Sequence, residues 1–216
     1  MIKMNIVFAY PTGLNPQKGG VERITDIIAK ILLKRGYTIF YLNWKREQDN
    51  YEYPVPVIDL PSSNLEDPNN LEVYNRFLKE NRIDVIINQH GLYEGTYFLS
   101  QVKVQNVKII SVLHSDPFGY YNHLFADLMT LRDSSIKEVK RVARFFLYRK
   151  VKKIIHRSLV NHYTFIQEHP QYVCLLSESY KERLEEYCDL PDNYFISIPN
   201  PNTYENIEII PHKEPI

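Results

Sequence analysis

Short apolar runs alternate with amphipathic stretches along nearly the whole chain. Apolar residues crowd into 6–10, 38–42, 85–88, 107–113, 172–176 and 194–198. Runs of this length, rich in Val, Ile, Phe and Tyr, predict buried strands. A weaker run at 55–60 lies among Pro54, Pro56 and Pro61, which places it at a sheet edge. Between the strands, helical periodicity predicts helices over 21–34, 70–81, 94–102, about 122–169 and 178–187. In the first helix Ile24, Ile27, Ile28, Ile31 and Leu32 share a stripe, with Lys30, Lys34 and Arg35 off it. Gly36 follows where a glycine closes a helix in a left-handed turn. The seven glycines, at 13, 19, 20, 36, 91, 95 and 119, are expected in breaks between elements.

Strands alternating with helices predict an α/β fold with a mostly parallel sheet. Right-handed crossovers then put helices on both faces. Ligands in such sheets bind beyond the carboxyl ends of the strands. The 216 residues fit one large domain or two small ones, and a 44% hydrophobic content can build a core. Twenty-six basic residues balance 26 acidic ones, so no broad nucleic-acid-binding surface is indicated. The two cysteines, Cys174 and Cys188, lack metal-ligand spacing and form no CxxC. A reducing cytoplasmic compartment is the expectation, with Cys174 in the core. The N-terminus does not read as a signal peptide, and no run is long enough to span a bilayer.

Five places carry candidate chemistry. The strand at 6–10 runs through Pro11-Thr12-Gly13 to Lys18-Gly19-Gly20-Val21-Glu22-Arg23, where a helix begins. Paired glycines let a backbone approach a ligand closely, and a helix N-terminus favours an anion. The plainer reading is a tight turn, with Glu22 favourable near the helix dipole. The strand at 107–113 ends in His114-Ser115-Asp116-Pro117. His114 is placed to bond a ligand hydroxyl or move a proton, or else to serve as a structural hydrogen-bonder; Asp116 reads as a turn residue. Gln89-His90-Gly91 stands at a third strand end. Ser177 is placed to cap the helix after it. Glu178 and Glu186 read as solvated charges beside Lys181 and Arg183. Finally, residues 137–157 hold nine Lys or Arg against Glu138, interleaved with Phe145, Phe146, Leu147, Tyr148, Val151, Ile154 and Ile155. Such a helix either packs its apolar side on the sheet or lies on an anionic membrane.

In this order, the motifs resemble family 4 glycosyltransferases. Lys18 to Arg23 is similar to their glycine-rich loop. Ser111 to Asp116 resembles their strand ending in His. Leu175-Leu176-Ser177-Glu178-Ser179 resembles their "VSE" junction, and Ile196 to Asn202 resembles their "IPNG" linker, with Pro201 where a Gly often stands. The resemblance implies a Rossmann-like three-layer sandwich at 1–198, one half of a GT-B fold, with a linker at 199–216 toward a second domain. It implies transfer of sugar with retention, from a nucleotide-sugar donor to a glycan or lipid-linked acceptor, without a metal or other cofactor. His114 would contact the donor sugar as the catalytic residue. Gly19, Gly20, Glu22, His90, Gly91 and Asp116 would contribute to donor or acceptor binding. The chain alone is then expected to be inactive, and a place on the inner face of the membrane fits the basic helix. Two rivals remain: a noncatalytic module binding a glycan or partner, and a nucleotide-dependent oxidoreductase or epimerase. The missing third glycine, and the lack of an acid at the end of the second strand, count against the latter.

Overall fold

A computed structural model of the chain describes residues 3–45, 50–91, 93–119, 121–124, 137–169, 171–185 and 191–200. It shows seven strands in one sheet: β1 (Asn5–Tyr10), β2 (Thr38–Asn43), β3 (Val57–Asp59), β4 (Val85–Asn88), β5 (Lys108–Leu113), β6 (Tyr172–Leu175) and β7 (Phe195–Ser197). Their order is β3-β2-β1-β4-β5-β6-β7, and every neighbouring pair is parallel. The helices are α1 (Gly20–Lys34), α2 (Pro68–Glu80), α3 (Tyr93–Leu99), α4 (Lys137–Glu168) and α5 (Ser179–Glu185). This is a Rossmann-like α/β sandwich. The weak run between prolines is indeed the edge strand β3.

Side chains alternate across the sheet, as the period of two demands. Val7 and Ala9 of β1, Leu42 of β2 and Ile86 of β4 face Tyr74, Phe77 and Leu78 of α2 and Phe98 and Leu99 of α3. Ile6, Phe8, Ile39 and Tyr41 face the other way, toward Ala29, Ile28 and Leu32 of α1. A third cluster joins Leu113, Val173 and Leu175 to Leu159, Tyr163 and Ile166 of α4 and Leu184 of α5. Three layers result, with helices on both faces.

The structure corrects several sequence expectations. The buried face of α1 runs through Glu22, Ile24, Thr25, Asp26 and Ala29, while Ile31 is 44% exposed. The helix rests on its small residues, Thr25 and Ala29, and so turns part of the predicted isoleucine stripe outward. Helix α2 starts at Pro68, two residues early. Asp67 caps it by accepting from Asn69 N at 2.9 Å, and proline suits the first helical position. Gly95 lies inside α3 rather than in a break: a Cβ there would come within 3.2 Å of the Trp44 ring. Gly20 is itself the first residue of α1. Ser177 meets Ser179 Oγ at 2.9 Å instead of capping an N–H. Cys174 is buried and free, and burial pushes its thiol pKa up. Cys188, Glu186 and 201–216 lie outside the described residues, as does 125–136 of the long helical stretch.

Helix α2 ends in a left-handed turn without a glycine. Arg82 has φ +48°; its N–H bonds Lys79 O, and Ile83 N bonds Leu78 O. This pair of bonds favours glycine at the left-handed position. Arg82→Gly is therefore expected to stabilise the protein by about 0.5–1 kcal/mol, the relief of backbone strain exceeding the added entropy of the unfolded chain. Urea unfolding checks it.

Candidate functional site

Strand order reverses between β1 and β4. One chain direction runs from β1 through β2 to β3, the other from β4 through β5 to β7. The crevice beyond the carboxyl ends of such a pair is where ligands bind in open parallel sheets. A cavity of about 200 Å³ opens there. Tyr10 from the end of β1, Val21 from the first turn of α1, Gln89, His90 and Gly91 after β4, and His114 and Ser115 after β5 line it. Three separated sequence motifs thus meet on one rim.

Each motif is held locally. Tyr10 and the exposed His90 contact edge to face, 6.3 Å between ring centroids. Gln89 N donates to Ala9 O at 2.9 Å, stitching the turn after β4 to β1. His90 N donates to Asn88 Oδ1 at 3.1 Å. Gly91 sits hard against β5: a Cβ would lie 2.6 Å from the Val112 carbonyl oxygen. Behind it, His162 of α4 donates to the Gly91 backbone. His114 is half-buried, and its Nε2 lies 2.6 Å from Gln89 Oε1. Burial holds the His114 imidazole below its ordinary pKa of 6.5, so the ring is neutral at pH 7.

The glycine pair divides its work. A Cβ on Gly19 would run into the Glu22 carboxylate, which folds back over the start of α1. Gly20 is exposed, and a Cβ there would meet nothing within 4 Å. Open space thus adjoins the Cα of Gly20, the first residue of α1. Glu22 is 9% exposed and belongs to the helix start. Asp116 is committed elsewhere: Oδ1 accepts from Phe118 N at 2.9 Å, and Oδ2 pairs with Arg183 of α5. That ion pair ties the loop after His114 to the helix after β6. Among the described residues no group of three or more His, Cys, Asp or Glu could hold a metal ion.

Gln171, Asn88 and His162 carried no motif, and sequence reading passed over them; Ser111 opened the motif that ends in Asp116 but was given no role of its own. The signal available was their polar character: Asn88 and Ser111 interrupt apolar strands. The second strand ends in Asn43, with Trp44 after it, so no acid stands where a Rossmann dinucleotide site places one.

No family model and no curated protein matches the sequence. Solved structures do. A glycosyltransferase from Rickettsia africae ESF-5 superposes with a TM-score of 0.51 at 16% identity, over 91% of this chain and 43% of that one. A sucrose-phosphate synthase from Thermosynechococcus elongatus gives 0.57 at 14%, over 91% and 48%. WaaG, a glycosyltransferase involved in lipopolysaccharide biosynthesis, gives 0.50 at 14%, over 93% and 46%. The likeness is one of fold. The chain spans less than half the length of each of these three proteins.

The far half of α4 differs from the half beneath the site. Ile155, Leu159, Tyr163 and Ile166 pack into the core. Phe146, Leu147 and Ile154 are 73%, 53% and 59% exposed. No helix among the described residues is long and apolar enough to cross a membrane.

Proposed function

We propose that this chain is the acceptor-side, N-terminal half of a retaining, family 4 type glycosyltransferase with a GT-B fold. It takes part in hexosyl transfer from a nucleotide-sugar donor to a glycan or lipid-linked acceptor, as in polysaccharide biosynthesis, and needs no metal. One observation carries the reading: Val21 of the helix start beside the glycine pair, His90-Gly91 and His114 converge on a single cavity at the point where strand order reverses. The names of the solved structures that share the fold support it, as does the share of each that this chain covers. His114 contacts the donor sugar near the reacting carbon. Gly20 and the first N–H groups of α1 approach the diphosphate or the acceptor. A second domain supplies most of the donor site, so this chain alone is inactive. The test is transfer from a panel of sugar nucleotides, by this chain alone and by the same chain joined to any sequence its gene encodes beyond Ile216. Transfer only by the longer protein, abolished by His114→Ala, is the expected result. Robust transfer by the 216 residues alone would refute the two-domain part.

The far half of α4 supports peripheral docking on an anionic membrane from the cytoplasmic side. Successive residues of a helix advance by about 100°. Leu147, Val151 and Ile154 therefore form a stripe rotated by about 100° from the core-facing one through Ile155, Leu159 and Ile166. Exposed Lys150, Lys153 and Arg157 form a third stripe beside it. Apolar side chains flanked by cations complement anionic headgroups over acyl chains. Co-sedimentation with anionic but not neutral vesicles is expected, and Lys150→Glu with Lys153→Glu should abolish it. Absence of binding at low salt would overturn the docking.

A further inference from the structure

We propose that Gln89 is a positioning residue that holds His114 as its Nε2–H tautomer and so leaves Nδ1 as the ring's hydrogen-bond acceptor. The geometry comes first. Gln89 is 3% exposed, and its Oε1 lies 2.6 Å from His114 Nε2. An amide oxygen can only accept, so Nε2 donates. A neutral imidazole carries one N–H, and the other nitrogen then accepts.

A chain of buried polar groups beneath Gln89 braces the turn that carries it. Asn88 is fully buried. Its Oδ1 accepts from His90 N, and its Nδ2 donates to Thr96 Oγ1 at 3.1 Å and Ser111 Oγ at 3.2 Å. Ser111 Oγ donates on to Gln171 Oε1 at 3.0 Å. Gln171 Nε2 donates to Ser100 Oγ, which donates to Thr96 O at 2.7 Å. These bonds give the Asn88 and Gln171 amides one orientation each. Asn88, Thr96, Ser111 and Gln171 are at most 2% exposed. Apolar side chains would fill the same space without the cost of desolvating amides. What the polar chain adds is a unique conformation for the turn at 88–91. With Asn88 fixed below and Gln89 N bonded to Ala9 O, the Gln89 side chain meets His114 from one direction.

Under the sugar-transfer reading, on which this use depends, Nδ1 accepts a ligand hydroxyl in the cavity. The tautomer itself does not depend on that reading.

Long-range proton–nitrogen NMR of the full chain, labelled at histidine, reads the tautomer directly. The expected result at pH 7.5 is a protonated Nε2 and an unprotonated Nδ1 at His114. Gln89→Leu, nearly equal in volume, should replace the single form by a mixture of tautomers. Gln89→Glu should restore the Nε2–H signal, since a carboxylate also accepts. A wild-type ring protonated at Nδ1, or a folded Gln89→Leu variant with an unchanged spectrum, would overturn the proposal. UDP-glucose added to the longer protein separates the two readings. The expected tautomer without any sugar-nucleotide binding would retire sugar transfer and leave the positioning role standing.

Discussion

Gly91→Ala is expected to lower the free energy of unfolding by about 2 kcal/mol, within the range for overpacking a tight site, and to break the Gln89–His114 hydrogen bond. The added methyl would lie 2.6 Å from the Val112 carbonyl oxygen and 3.1 Å from Leu113 Cδ2. Both belong to the end of a central strand, whose backbone is paired on both sides. The strand does not yield, so the loop at 89–91 must. Urea unfolding measures the first effect and the His114 nitrogen spectrum the second. Gly20→Ala makes the matching control. Space there is open and the residue opens a helix, so stability should hold or rise by up to about 1 kcal/mol. If a ligand uses the backbone beside Gly20, binding falls in this variant with no loss of stability. An equal loss of stability at both positions would remove the distinction drawn between them.

Acid is the second lever. His162 is fully buried against Tyr97, Tyr163 and the Gly91 backbone, and burial lowers its pKa to about 4. In the unfolded chain the same ring titrates near 6.5. Between these values the unfolded state binds the extra proton and the folded state does not. The stability is therefore complete above pH 6.5 and is lost as pH falls toward 4. At about 1.4 kcal/mol per pH unit, the loss comes to about 3 kcal/mol. His114, also held down by burial, adds to it in the same direction. His162→Gln keeps a side-chain donor for the Gly91 carbonyl and removes the titration. Urea midpoints between pH 4 and 7.5 should fall steeply in the wild type and much less in the variant. Parallel curves for the two proteins would show that another group dominates acid unfolding. The physical link matters for the site, because the ring that resists acid is the one that backs Gly91.

Local pattern was enough for the class of fold. Six apolar runs and one proline-bracketed run became the seven strands, because burial on both faces leaves a continuous apolar signature. Proline placed β3 at an edge, and Gly36, with φ +83°, closed α1 as its position implied. The strand-end position of His114 and of His90-Gly91 also followed from the linear order. What a linear pattern cannot encode is the angle at which a helix meets the sheet. The burial of Thr25 and Ala29 rather than Ile31, and the close approach of Gly95 to the Trp44 ring, came from close packing between distant elements.

The site shows the same division. Sequence alone marked its strand-end histidines and its glycine pair, because strand ends and helix starts are written in local composition. Only the tertiary structure brought the two histidines, Gly91 and, next to the glycine pair, Val21 around one cavity, committed Asp116 to Arg183, and set Asn88 and His162 behind the site. The long-range contacts among them join residues 23 to 71 positions apart, and they depend on strand order. A chain of apolar runs specifies that strands exist; the reversal between β1 and β4, which creates the crevice, is settled only when the strands pair.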